Sequence, residues 1–165
     1  MASTRIWKLS LPEWIRVLKS PNGTFTSPNY PIRYGNNNNC SWLITTDIST
    51  AVVRLFIDRF VTDLNHDFLY VYDGPTTSSP LLVVATGFYY SGLAPIVSSS
   101  TEMLVVFSSD KTITFSGFSA HYSVMNWYIS NVYAIANSLV FLCSLFQVCV
   151  SWRRSSYFPF LIFFF

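Results

Sequence analysis

The chain has 165 residues, 51% of them hydrophobic, 18% aromatic and 11% charged, with a formal net charge of +2. That length allows one domain with extensions. The charge is divided unevenly: residues 1–20 and the arginines at 153–154 are net basic, whereas the segment between them holds four basic and seven acidic residues. The middle of the chain therefore offers no basic face to neutralise phosphates, which excludes nucleic acid as a partner.

Residues 1–20 carry scattered apolar side chains broken by Pro12, with no continuous run of signal-peptide length. This segment is expected to be a leader or an incomplete start. From Pro21 to Cys40 turn residues dominate, in Pro21-Asn22-Gly23-Thr24, Ser27-Pro28-Asn29-Tyr30-Pro31 and Gly35-Asn36-Asn37-Asn38-Asn39. Asn, Gly and Pro supply the φ angles that turns need. A long coil is predicted there, and compact domains seldom keep one without a use for it.

Short strands are predicted next, at 41–45, 52–60, 68–72, 81–85, 96–98, 103–107 and 117–124. In the second, Val53, Leu55 and Ile57 share one face and Arg54, Phe56 and Asp58 the other. In the last, Phe118, Ala120 and Tyr122 alternate with Ser119, His121 and Ser123. Alternation with period two marks strands with one buried face. Many such strands in succession, with no helical period before residue 126, predict an all-β sandwich or barrel.

The connection before the third strand holds Asp63 and Asp67, and the strand itself stops at Asp73-Gly74-Pro75. Two carboxylates on a loop that opens a strand could seat a hard cation or form a solvated turn. His66 lies beside them, but neutral imidazole is a poor calcium ligand, and a solvated loop histidine is expected. No nucleophile, base and oxyanion donor occur together as catalysis requires. The chain is not expected to be an enzyme.

Taken together, Gly23-Thr-Phe-Thr-Ser-Pro-Asn-Tyr-Pro31, Tyr34, Cys40-Ser-Trp42, Asp67-Phe-Leu-Tyr-Val-Tyr-Asp73-Gly74, Phe107-Ser-Ser-Asp110 and Gly117-Phe-Ser-Ala-His-Tyr122 resemble a CUB domain. The resemblance runs in order from about residue 22 to 124. It implies an extracellular jelly-roll β-sandwich of two antiparallel sheets, placed here at 21–125. It also implies a Ca²⁺ site built from Asp63, Asp67 and Asp110, with the Tyr34 hydroxyl orienting the first acid and with Thr112 and Thr114 as further oxygens. Ca²⁺ takes six to eight oxygens, and carboxylates from separate loops suit it. Such a site implies a protein partner with an exposed lysine, read through charge-assisted hydrogen bonds. The alternative is a calcium-dependent carbohydrate-binding jelly roll.

The cysteines depart from the family. Of the usual four, this chain keeps Cys40; one absent position falls between Asp63 and Asp67 and another at Thr86. Cys40 is left unpaired, and the apolar strands must supply the stability that disulfides usually add. Two sequons, Asn22-Gly23-Thr24 and Asn39-Cys40-Ser41, make Asn22 and Asn39 glycosylation candidates in a secreted protein.

From residue 126 the chain is apolar. Residues 132–152 contain no charge and are followed by Arg153 and Arg154. That length suffices to cross a hydrocarbon core of ~30 Å as a helix. The arginines would lie in the cytoplasm, leaving the preceding domain outside. The expected location is extracellular or at the cell surface, with 132–152 as a candidate single-pass membrane tether.

Overall fold

A computed structural model describes residues 15–126. They form ten strands in chain order: β1 Ile15–Leu18, β2 Asn22–Thr26, β3 Asn39–Thr45, β4 Ala51–Val61, β5 Phe68–Tyr72, β6 Leu81–Ala85, β7 Phe88–Tyr89, β8 Ile96–Val97, β9 Glu102–Ser108 and β10 Gly117–Asn126. No helix occurs among the described residues, and the candidate span 132–152 lies outside them.

The strands build two sheets. One has the order β1-β3-β9-β5-β6; the other runs β2-β10-β4-β7, with β8 also paired to β4. The inner faces carry the apolar half of each alternation. Val53, Leu55 and Ile57 from β4 and Phe118, Ala120 and Tyr122 from β10 meet Trp42, Ile44, Leu69, Val71, Met103, Val105 and Phe107. Rings fill the centre: Phe118 lies edge-on to Trp42 at 5.6 Å and to Phe107 at 5.7 Å, and Phe25 tilts over Trp42 at 5.2 Å. The outward half holds Arg54 and Phe56, with the Arg54 guanidinium 4.8 Å from the Phe56 ring centre. The all-β sandwich is thus one of the two architectures that the alternation predicts.

Three details differ from the sequence reading. Ile15–Leu18, inside the segment read as a leader, forms edge strand β1, paired Ile15 to Ser41 and Leu18 to Ile44. That pairing is parallel, so the first sheet is not purely antiparallel. The cause is topological: the chain passes from β1 into β2 of the other sheet before returning as β3, and a crossover restores direction. Asn22–Thr26, read as turn, is β2, paired along β10 from Thr26–Ser119 to Asn22–Ser123. Gly23 fits there because a Cβ would come within 2.8 Å of the Tyr122 ring.

Candidate functional site

Three connections meet at one end of the sandwich: 27–38 between β2 and β3, 62–67 between β4 and β5, and 109–116 between β9 and β10. Backbone bonds tie them. Asn37 N–H donates to the Asp110 carbonyl at 2.6 Å, and Tyr34 N–H to the Phe115 carbonyl at 3.0 Å. The 62–67 loop is a tight turn in which Asp67 N–H returns to the Asp63 carbonyl at 3.0 Å. Asn65 sits at φ 64°, a conformation that asparagine tolerates better than most residues.

Asp67 is the centre of this end. Its side chain is fully buried at 0% exposure. The Tyr34 hydroxyl donates to its Oδ2 at 2.5 Å, and Asp110 N–H donates to its Oδ1 at 2.8 Å. Among the described residues no basic side chain pairs with it. A buried carboxylate without a cation is costly, and neutral donors offset only part of that cost.

Tyr34 is itself buried, its ring edge-on to Phe107 at 5.1 Å. Burial first, and then the bond to Asp67, push the pKa of its hydroxyl well above the usual tyrosine range, so it remains a donor. The same oxygen accepts Asp63 N–H at 3.1 Å. The family resemblance implied that Tyr34 orients the first acid. The structure joins it to the carboxylate of Asp67 and to the backbone, not the side chain, of Asp63.

Asp63 shares the 62–67 loop with Asp67, and Asp110 stands on the 109–116 loop beside it, but their carboxylates face other partners. Asp63 Oδ2 lies 3.6 Å from Nδ1 of the exposed His66. Asp110 Oδ1 accepts Thr112 N–H at 2.8 Å and the Thr112 hydroxyl at 2.9 Å. The backbone donor is the main reason that the Asp110 carboxyl titrates below the usual range. Among the described residues no three His, Cys, Asp or Glu side chains form a group that could hold a metal ion. The fold therefore gathers the three expected loops while leaving the three carboxylates apart.

Several hydroxyls that fix this end escaped the sequence reading. Thr62, fully buried, donates its N–H to the Gly87 carbonyl at 2.9 Å, and its Oγ1 accepts Gly87 N–H at 2.9 Å. Thr86 Oγ1 accepts Asn65 N–H at 2.8 Å and donates to the Asp63 carbonyl at 3.1 Å. Its hydroxyl thus links the two segments between which the family resemblance places the absent disulfide. Ser109 Oγ donates to the Gly35 carbonyl at 2.9 Å. Ser27 Oγ accepts Phe118 N–H at 3.0 Å. Gly117, at φ 78°, makes room for it, since a Cβ there would lie 1.9 Å from that oxygen. Hydroxyl residues are common in loops, and only their hydrogen bonds between segments single these out.

The remaining candidates lie elsewhere. Asn22 and Asn39 are exposed at the starts of β2 and β3, and Ser41 of the second sequon is buried. Cys40 is a free, half-buried thiol, and burial raises its pKa. His121 lies on the outer face of β10, its Nδ1 2.9 Å from Asp58 Oδ1.

Similarity to known proteins extends over most of the described residues. The family model for the CUB domain matches residues 15–122. Embryonic protein UVS.2 of Xenopus laevis is 39% identical over 110 residues, spanning 64% of this chain and 21% of that protein. Human cubilin is 39% identical over 105 residues, 61% of this chain and 3% of cubilin. The chain thus spans only about a fifth of the first of these relatives and far less of the second. The crystal structure of the MASP-1 CUB2 domain bound to Ca²⁺ superposes with a TM-score of 0.52 at 23% identity, covering 66% of this chain and 96% of that one. At that identity the likeness concerns the fold.

Proposed function

The chain belongs to the CUB domain family, and from that membership we propose an extracellular protein–protein interaction module whose Asp67 end recognises a lysine-bearing partner in the presence of calcium. One observation carries the reading: Asp67 is wholly buried, held by Tyr34 and by the Asp110 amide, and no cationic side chain among the described residues offsets its charge. A divalent cation would supply that charge, and the MASP-1 neighbour is a CUB domain bound to Ca²⁺. Asp67, with Asp63 and Asp110 turned from His66 and Thr112, would hold it, and Tyr34 would support Asp67 from behind. The ion would order the three loops, and carboxylate oxygens left at its rim would accept a lysine through charge-assisted hydrogen bonds. On this reading the module acts by binding.

Calorimetry tests the metal. Calcium should give a saturable heat with the whole chain and raise its melting temperature. Asp67→Ala should abolish both, along with retention of a lysine-bearing peptide. An unchanged melting temperature in millimolar calcium defeats the metal reading. Unchanged peptide retention by Asp67→Ala defeats the recognition reading.

A further inference from the structure

Beside the acidic loops stands an apolar shelf that they do not account for. Leu64, Phe88 and Tyr90 are 53%, 47% and 65% exposed. They are contiguous rather than scattered. Phe88 meets Phe115 edge-on at 5.3 Å and stacks with Tyr90 at 6.3 Å. Leu64 lies over Gly87, whose missing Cβ would fall 2.8 Å from the leucine Cδ1. The shelf therefore runs from the 62–67 loop, across the turn before β7, to the 109–116 loop. Single exposed apolar residues need no explanation, but a contiguous aromatic patch beside charged groups marks an interaction surface.

The shelf and the acidic loop are mechanically one unit. The paired Thr62–Gly87 bonds and the Thr86 hydroxyl bonds to Asn65 and Asp63 lock the turn before β7 onto the loop. A ligand seated on Asp63 would thus meet Leu64 and Phe88 at a fixed offset. Charge decides what fits. Asp63 adjoins Leu64 on one flank, whereas the Arg59 guanidinium sits 5.5 Å from the Tyr90 ring centre on the other. A basic group is attracted to the first flank and repelled from the second.

Resting on the acidic-end reading above, we propose that Leu64, Phe88 and Phe115 receive an apolar side chain next to the partner's lysine. This end then reads a lysine–apolar pair in a partner protein rather than a lone lysine. Arg59 sets the polarity, so that the apolar neighbour lies toward β7 and a second basic residue beyond it is disfavoured. Aromatic anchors of this kind commonly dominate interface energetics.

The whole chain, in calcium, is passed over sensor surfaces bearing one of three capped peptides: Gly-Gly-Lys-Phe-Gly, Gly-Gly-Lys-Gly-Gly or Gly-Gly-Gly-Phe-Gly. Burial of one apolar side chain predicts retention on the Lys-Phe surface about tenfold tighter than on the Lys-Gly surface. Phe88→Ser should bring those two surfaces level without weakening retention on Lys-Gly. Leu64→Ser, on an exposed loop position, should narrow the difference as well and replaces Phe88→Ser if that variant does not fold. Equal retention on Lys-Phe and Lys-Gly, both above the Gly-Phe surface, overturns the shelf and leaves the acidic-end reading standing. Gly-Phe retained as well as Lys-Phe overturns the pairing. Retention on none of the three removes the acidic-end reading and the shelf together.

Discussion

The interior and the Asp67 end of this sandwich are both buried, yet they are held by different physics. Between the sheets the contacts are apolar and nondirectional: Phe118, Phe107, Leu55 and Val105 are each fully buried among side chains of the same kind. At the end, the buried groups include Ser27, Thr62, Asp67 and Ser109, each with a specific hydrogen-bond partner. Apolar packing tolerates exchange at constant volume. A buried polar network does not, because one missing partner leaves another group unsatisfied in a low dielectric. The interior should therefore govern how stable the module is, and the end should govern how well its loops are ordered.

The largest effect is expected in the interior. Phe118→Ala removes the ring that touches Phe25, Trp42, Phe60 and Phe107. It should cost about 3–5 kcal/mol in urea unfolding, whereas Phe118→Leu should cost clearly less. Equal losses would mean that volume is not what the interior depends on.

A smaller but more local loss is expected from Tyr34→Phe. The ring stays against Phe107, while Asp67 Oδ2 loses its donor and Asp63 N–H its acceptor. Leaving a buried partner unsatisfied costs about 1–3 kcal/mol. Amide exchange at Asp63 and Asp110 should accelerate more than exchange at Val105. A uniform change across these amides would erase the contrast between the two regions.

The same contrast explains what was legible in the amino-acid sequence. Strand alternation is a local signal with a global cause, and it placed β4 and β10 with the correct faces: Val53, Leu55 and Ile57 are buried and Asp58 is exposed. Three strands, β1, β2 and β7, were not legible. β1 and β7 are short edge strands, and β2 contains an Asn-Gly pair that reads as a turn until β10 pairs with it. At the end, the Tyr34–Asp67 bond joins residues 33 positions apart, and no periodicity reports such a contact. Asp67 stood out as one of two loop carboxylates, whereas Tyr34 was nameable only through family resemblance. The hydroxyl turns to the Asp67 carboxylate and the Asp63 amide, and resemblance carries residue types, not the direction in which a hydroxyl points. Thr62 and Thr86 carried no signal, since a threonine in a loop looks the same whether it is solvated or bridges two turns.

The mildest test lies at the rim, where exposure weakens every electrostatic effect. Thr112 folds back on Asp110 through its amide and then its hydroxyl, and together they hold the carboxyl below its ordinary range. A depressed folded-state pKa contributes stability above the ordinary aspartate range, and that contribution is lost as pH falls through the lowered midpoint. In Thr112→Val the amide remains and the hydroxyl is gone. The Asp110 midpoint, followed by carboxyl carbon NMR, should rise part of the way and stay below ordinary. Overall melting should barely change. If Asp110 must leave Thr112 to reach a cation, the same substitution should tighten calcium binding, because one competing donor has been removed. A weaker calcium affinity in Thr112→Val would instead place the hydroxyl among the groups that help to hold the ion. The rim would then depend on directional bonds in the way that the buried network does.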